Sequence, residues 1–163
     1  GIVWDSANTA TNQKAAVLIG DATKAAGINM KFNFIPSGQY YSTVQNRDKQ
    51  NDISSAGWGA DWANASTVIP ELFTKEGGFN LSQNWDDAAY AAFKKKSDAT
   101  KVETNRTKQA KGWQELGQYV MDQYWIIRPV FSKTQDVWGS TVGGVYYWEP
   151  QGTFGFGQLY VKN

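Results

Sequence analysis

The positions Ile28-Asn29-Met30-Lys31-Phe32-Asn33-Phe34 alternate apolar and polar side chains without a break. Successive side chains of a strand point to opposite faces, so this pattern predicts a strand with one face buried. The run Ile2-Val3-Trp4 predicts a shorter buried strand before it, closed by the turn-prone Asp5-Ser6-Ala7-Asn8. Between the two, Thr11 to Ala26 predicts a helix. Its apolar face is Val17, Leu18, Ala22, Ala25 and Ala26, and Gly27 is placed as its C-terminal stop. Pro36-Ser37-Gly38 ends the alternating strand, and Ser37 is placed to cap a helix carrying Tyr40, Tyr41 and Val44. Beyond the polar stretch Arg47 to Asn51, a third strand is expected from Asp52 towards Trp58. Strand, helix, strand, helix, strand is the order of a parallel α/β sheet with helical crossovers.

After Asp61 the pattern turns helical. Pro70 is placed to start a short helix holding Leu72 and Phe73, ended by Gly77 and Gly78. Asn84 or Asp86 caps a helix through Ala88, Ala89, Ala92 and Phe93, and that helix N-terminus accounts for the pair Asp86-Asp87 better than acid–base chemistry does. Thr100-Lys101-Val102-Glu103 has the form of a capping box opening a long helix. Its stripe of Val102, Ala110, Trp113, Leu116, Val120 and Tyr124 falls near a period of 3.6 and predicts core packing. Trp125 to Phe131 is β-rich with Pro129 marking an edge, Gln135 to Trp138 predicts another strand, and the tail from Gly143 onward is rich in Gly and aromatics.

Composition narrows the function classes. The 163 residues suffice for one domain, and 41% apolar with 19% charged residues describes a folded chain. The net charge of +1, with both signs intermixed, lacks the basic stripe of a nucleic-acid binder, so no nucleic-acid partner is expected. There is no Cys and no His, which removes thiolate nucleophiles, imidazole bases and the usual ligands of zinc, copper or haem iron. Only a carboxylate, Lys or Ser enzyme or an oxygen-ligand metal site survives that cut, and with no motif pointing to one, no catalytic residue, cofactor or metal is expected. No apolar run approaches the roughly twenty residues of a membrane span. The start at Gly1 without Met suits a processed or engineered fragment.

Aromatics are enriched, with eight Trp, eight Tyr and eight Phe; ordinary core packing accounts for well over half, but some stand in turn-like settings such as Gly57-Trp58-Gly59 and Tyr146-Tyr147-Trp148. The segment Ala56-Gly57-Trp58-Gly59-Ala60-Asp61-Trp62 leaves a strand for a Gly-rich loop, at the strand end where open α/β sheets collect ligands. Two readings stay open on spacing alone. In one, the backbone of this segment pairs with an extended ligand, Trp58 forms a wall and Asp61 takes an ammonium group. In the other, it is a Gly-rich turn with a helix-capping Asp.

Gly57-Trp58-Gly59-Ala60-Asp61 after a strand resembles the motif in the C-terminal lobe of family 5 solute-binding proteins, the oligopeptide- and dipeptide-binding components of bacterial ABC importers. The resemblance follows the family's order along nearly the whole chain, through the helix with Tyr40-Tyr41, the region from Asn80 to Phe93, the helix with Arg106 and Leu116, and Ile127-Arg128-Pro129-Val130-Phe131. It implies a periplasmic-binding-protein-like α/β lobe over residues 1–142, with a small, mainly parallel sheet flanked by helices. Residues 143–163 would be a tail returning to a missing other lobe. It implies an extracytoplasmic location, a membrane permease as partner, and a short peptide held between lobes. In that implied role Asp61 pairs with the peptide's α-amino group, Ala56 to Gly59 run beside its backbone, and Trp58 lines a side-chain pocket. The chain departs from many relatives after Asp61, where Trp62-Ala63-Asn64-Ala65 stands in place of a proline-containing turn. The aromatic excess supports an alternative ligand, an oligosaccharide, on the same fold. A free-standing carbohydrate-binding module fits poorly, because such modules are mostly β-sandwiches and this chain carries a long helix.

Overall fold

The central strand of the sheet is the first one in the chain: β1 (Ile2–Ala7) lies between β2 (Met30–Ile35) and β3 (Ile53–Ser54), parallel to both. The computed structural model describes residues 1–79, 85–127, 135–149 and 152–162. They form two compact units, one of Gly1–Trp58 with Glu71–Asp86, the other of Gly59–Pro70 with Asp87–Asn163. The chain has an α/β architecture, as the pattern predicts.

In the first unit a crossover helix is obligatory, since parallel neighbours cannot be joined by a tight turn. That helix is α1 (Ala10–Ala25), capped by Thr9, whose side chain accepts from the Asn12 N–H. It stops where expected, with Gly27 at φ +79°, a conformation that costs other residues strain. Its inward face differs from the expected one. Ala16 is buried, with Asn12, Ile19, Gly20 and Thr23 half-buried on the same face, whereas Val17, Leu18, Ala22, Ala25 and Ala26 are exposed. The inward face mixes small residues with Ile19, and at Gly20 the helix meets the sheet, since a Cβ there would stand 3.4 Å from the Phe32 ring.

β1 pairs with β2 from Ile2 opposite Met30 to Ala7 opposite Ile35. Ser37 lies inside a 3-10 turn (Ser37–Gln39) and caps no helix; the turn leads directly into α2 (Tyr40–Val44), so no exposed helix end is left for Ser37 to cap. Ile35, Tyr40 and Val44 form the buried cluster beside the sheet, with Ala7 packed on it. The third strand is shorter than expected. It pairs only Ile53 and Ser54 with Trp4 and Asp5, and from Ser55 to Ala60 the chain has no regular structure. Six positions with two glycines and no β-branched side chain give little support to a strand.

The second unit is built on α4 (Asp87–Lys101) and α5 (Arg106–Asp122), which bury Phe93, Trp113, Leu116 and Val120. Gly112 permits their close approach, because a Cβ there would fall 2.7 Å from the Thr100 hydroxyl oxygen. The expected capping box does not form. Thr100 sits in the last turn of α4, donating to the Lys96 carbonyl at 2.8 Å, and Asn105 caps α5 by accepting from the Lys108 N–H at 3.0 Å. Val102 and Tyr124 consequently lie off the buried stripe and are exposed, as is Ala110. Asp86 directly precedes α4, while Asn84 and Arg128 to Phe131, with Pro129, fall outside the described residues. The other short helix is α3 (Ile69–Phe73), which contains Pro70 in its first turn and buries Leu72 and Phe73.

Gln135 to Trp138 forms no strand; no neighbouring strand among the described residues offers it a ladder, and Val137 and Trp138 are exposed. The tail forms two short antiparallel ladders. β4 (Val142–Gly143) pairs with β7 (Tyr160–Val161), and β5 (Tyr147–Trp148) pairs with β6 (Thr153–Phe154).

Candidate functional site

Everything that fixes the start of the candidate segment converges on Ser55. Its N–H donates to the Asp5 carbonyl at 3.2 Å, extending the β3 pairing by one bond. Its hydroxyl accepts from the Trp4 indole at 3.0 Å. Its carbonyl accepts from the Tyr40 hydroxyl at 2.6 Å, and the same hydroxyl lies 3.1 Å from the Asp5 carbonyl. Burial pushes the Tyr40 phenol up to about 12, which keeps it protonated and a donor.

Asp5 supports this anchor from inside β1. It is fully buried, and its carboxylate accepts from the Asn33 side chain at 2.8 Å, the Asn51 side chain at 2.7 Å and the Asn51 backbone at 3.0 Å. The neighbouring Asp52 carboxylate takes the Val3 N–H at 2.7 Å. Two Asp side chains therefore fix the approach to β3 against β1. Sequence reading assigned Asp5 to a turn and missed both this hub and the Tyr40 anchor. The combination of a strand-embedded Asp with Asn33 and Asn51 was the available signal, since a buried carboxylate needs donors.

Immediately past Ser55 the hydrogen bonding stops. Ala56, Gly57, Gly59 and Ala60 make no hydrogen bond among the described residues, and Ala56, Gly57, Trp58 and Gly59 are exposed. A Cβ added at Gly57 or Gly59 would meet no atom within 4 Å. The glycines thus leave open space over the backbone, with no packing reason of their own. Ala56, Gly57 and Trp58 belong to the first unit, and Gly59, Ala60, Asp61 and Trp62 to the second. In the first unit the Trp58 ring stands edge-on to Phe79 at 5.0 Å, Phe79 to Tyr41 at 4.8 Å, and Tyr41 to Tyr40 at 5.3 Å. This chain of rings ties Trp58 to the residue that anchors Ser55.

In the second unit Asp61 is exposed, and its backbone N–H donates to the buried Thr67 hydroxyl at 3.2 Å. The capping role goes to Asn64, whose side chain accepts from the Ser66 N–H at 2.9 Å to open the 3-10 turn Ala65–Thr67. Trp62 is exposed and borders a cavity of about 790 Å³ together with Asn64, Arg106 and Trp113. Sequence reading missed that cavity, because periodicity marked Trp113 as core only.

No protein-family profile and no curated protein matches the sequence. Solved structures do match. The clavulanic acid biosynthesis oligopeptide binding protein 2 aligns over 99% of this chain and 30% of its own, with a TM-score of 0.80 at 19% identity. The chain has the α/β fold of a periplasmic-binding-protein lobe. MppA, a periplasmic murein tripeptide-binding protein in its unliganded open form, aligns over 98% of this chain and 30% of its own, with a TM-score of 0.66 at 15% identity. The substrate-binding domain of an oligopeptide ABC transporter from Bacillus anthracis aligns over 99% and 31%, with a TM-score of 0.57 at 17% identity. This lobe fold accordingly spans about three-tenths of the length of the proteins it resembles. No helix among its described residues is long and apolar enough to cross a membrane.

Proposed function

We propose that the chain is the ligand-gripping lobe of a solute-binding protein that captures short peptides outside the cytoplasm and delivers them to an ABC importer. The observation that carries this reading is the abrupt change at Ser55, where a firmly anchored strand end gives way to a largely exposed segment whose Ala56, Gly57, Gly59 and Ala60 have no hydrogen-bond partner among the described residues. Such groups are ready to pair with the main chain of an extended ligand. Trp58 supplies an apolar wall and Asp61 takes the ligand's ammonium group. The role is binding, without catalysis. The names of the similar solved structures, each a peptide- or oligopeptide-binding protein or transporter component, support the peptide class. In this proposal residues 1–142 form the lobe, residues 143–163 lead to a second lobe that completes the site, and closure of the two traps the peptide before a membrane permease receives it.

Calorimetry of the full-length protein with short peptides tests the proposal. Losing one partner of a desolvated charge pair costs on the order of 2–5 kcal/mol, so Asp61→Ala should nearly abolish binding. Unchanged affinity overturns the assignment of Asp61. An oligosaccharide in this same segment is the second reading, favoured by the exposed Trp58 and Trp62 rings. A thermal-shift response to cello- or xylo-oligosaccharides but not to peptides would select it.

A further inference from the structure

Trp58 follows directly on the open backbone of Ala56 and Gly57, and two further rings of the first unit stand with it, Phe79 and Tyr41. Trp58 is 36% and Tyr41 42% exposed, while Phe79 is half-buried and packs against both. The buried cluster beside the sheet, Ile35, Tyr40 and Val44, includes none of the three. They therefore form an apolar wall at the surface, next to backbone groups that have no partner among the described residues.

That wall is held in place from two sides. After α3 the chain folds back on the helix: the Thr74 carbonyl accepts the Gly77 N–H at 3.1 Å, the Glu71 carboxylate accepts the Gly78 N–H at 2.9 Å, and the Glu71 carbonyl accepts the Phe79 N–H at 3.0 Å. The helix itself is fixed by burial of Leu72 and Phe73, and Phe73 stacks on Trp85 with centroids 5.5 Å apart. On the other side Tyr41 meets Tyr40, whose hydroxyl holds the Ser55 carbonyl at 2.6 Å. The planes of successive rings from Trp58 to Tyr40 cross at 65°, 72° and 71°. In this edge-to-face order each ring limits the rotation of the next. A surface ordered before its ligand arrives loses little freedom on binding, so the apolar area covered there goes into affinity.

We propose that Tyr41, Trp58 and Phe79 form one side-chain subsite, and that it selects peptides with a large apolar or aromatic residue at the position facing it. This rests on the peptide reading above and narrows it, with Tyr41 and Phe79 as specificity-determining residues. An extended ligand sends successive side chains to opposite faces, so a single position of the peptide carries the preference.

Calorimetry of the full-length protein with trialanine, and with the three tripeptides in which one alanine becomes phenylalanine, tests the subsite. One of the phenylalanine peptides should bind about tenfold or more tightly than trialanine, the gain from burying one aromatic side chain. Phe79→Ala and Tyr41→Ala should each cut that preference by about threefold or more, whereas Phe79→Tyr, which keeps the ring, should retain it. Circular dichroism checks that each variant is folded. A general loss of packing would weaken all four peptides alike, while loss of the subsite acts on their ratio. Equal affinity of the wild type for all four overturns the subsite, and so does a preference that survives both alanine substitutions or an equal loss across the series. If none of the four binds, the peptide reading fails and the subsite falls with it, which tells the two failures apart.

Discussion

Asp5 and Asp61 are the same residue type put to opposite uses. Asp5 is fully buried in β1 and its carboxylate receives three N–H donors, so it acts as an internal fastener that fixes where Asn51 and the third strand lie. Asp61 is exposed on a loop whose backbone is held by Thr67. One carboxylate is consumed in making the architecture; the other belongs to an exposed loop residue. Burial decides the difference: a carboxylate taken out of water needs donors from its own chain, and those donors must come from elements distant in sequence.

This contrast can be broken first at Asp5. Asp5→Ala removes the fully buried acceptor of three part-buried N–H groups and should lower stability by about 2–3 kcal/mol, read as a shifted urea midpoint. Asp61→Ala should shift the same midpoint by less than Asp5→Ala does while removing peptide affinity. A midpoint shift at Asp61 as large as that at Asp5 would erase the distinction drawn between them.

Tyr40→Phe is the intermediate case. It removes the hydroxyl that holds Ser55 while keeping the ring, and should cost about 1–2 kcal/mol. It also carries a pH signature. The Tyr40 phenol is raised from 10.0 to about 12 by burial, so the folded chain keeps a proton that the unfolded chain releases. The stability this confers is complete below pH 10 and is lost as pH rises from 10 to about 12. Urea titrations across that window should show a steeper decline for the wild type than for Tyr40→Phe. The smallest expected effect on folding is at Gly57, where an added methyl group meets open space. Gly57→Ala should melt within a degree or two of the wild type yet weaken peptide binding, since the methyl group intrudes where the ligand backbone is proposed to lie.

Much of the fold is legible before any coordinates. The alternation around Phe32, the stop at Gly27 and the inner positions Trp113, Leu116 and Val120 are local patterns that burial follows directly. The errors fall where a neighbour overrides local preference. Thr100 reads as a capping residue, but α4 continues through it because α5 packs there over Gly112. Val17 and Leu18 read as the buried face of α1, but the side the helix turns inward carries Ala16, Ile19, Gly20 and Thr23.

The same division holds for the candidate site. The sequence alone placed the segment Ala56 to Trp62 at a strand end and marked Gly57, Trp58 and Asp61 as its chemically distinctive members, because those are properties of residue type and order. Only the tertiary structure showed that Ser55 is pinned from three directions, that Asn64 and not Asp61 caps the following turn, and that Arg106, Trp113 and Gln114 border one cavity with Trp62. The Asn64 cap is local, but the hold on Ser55 joins side chains 15 and 51 positions away, and no local pattern of hydrophobicity encodes which donors will find which acceptors.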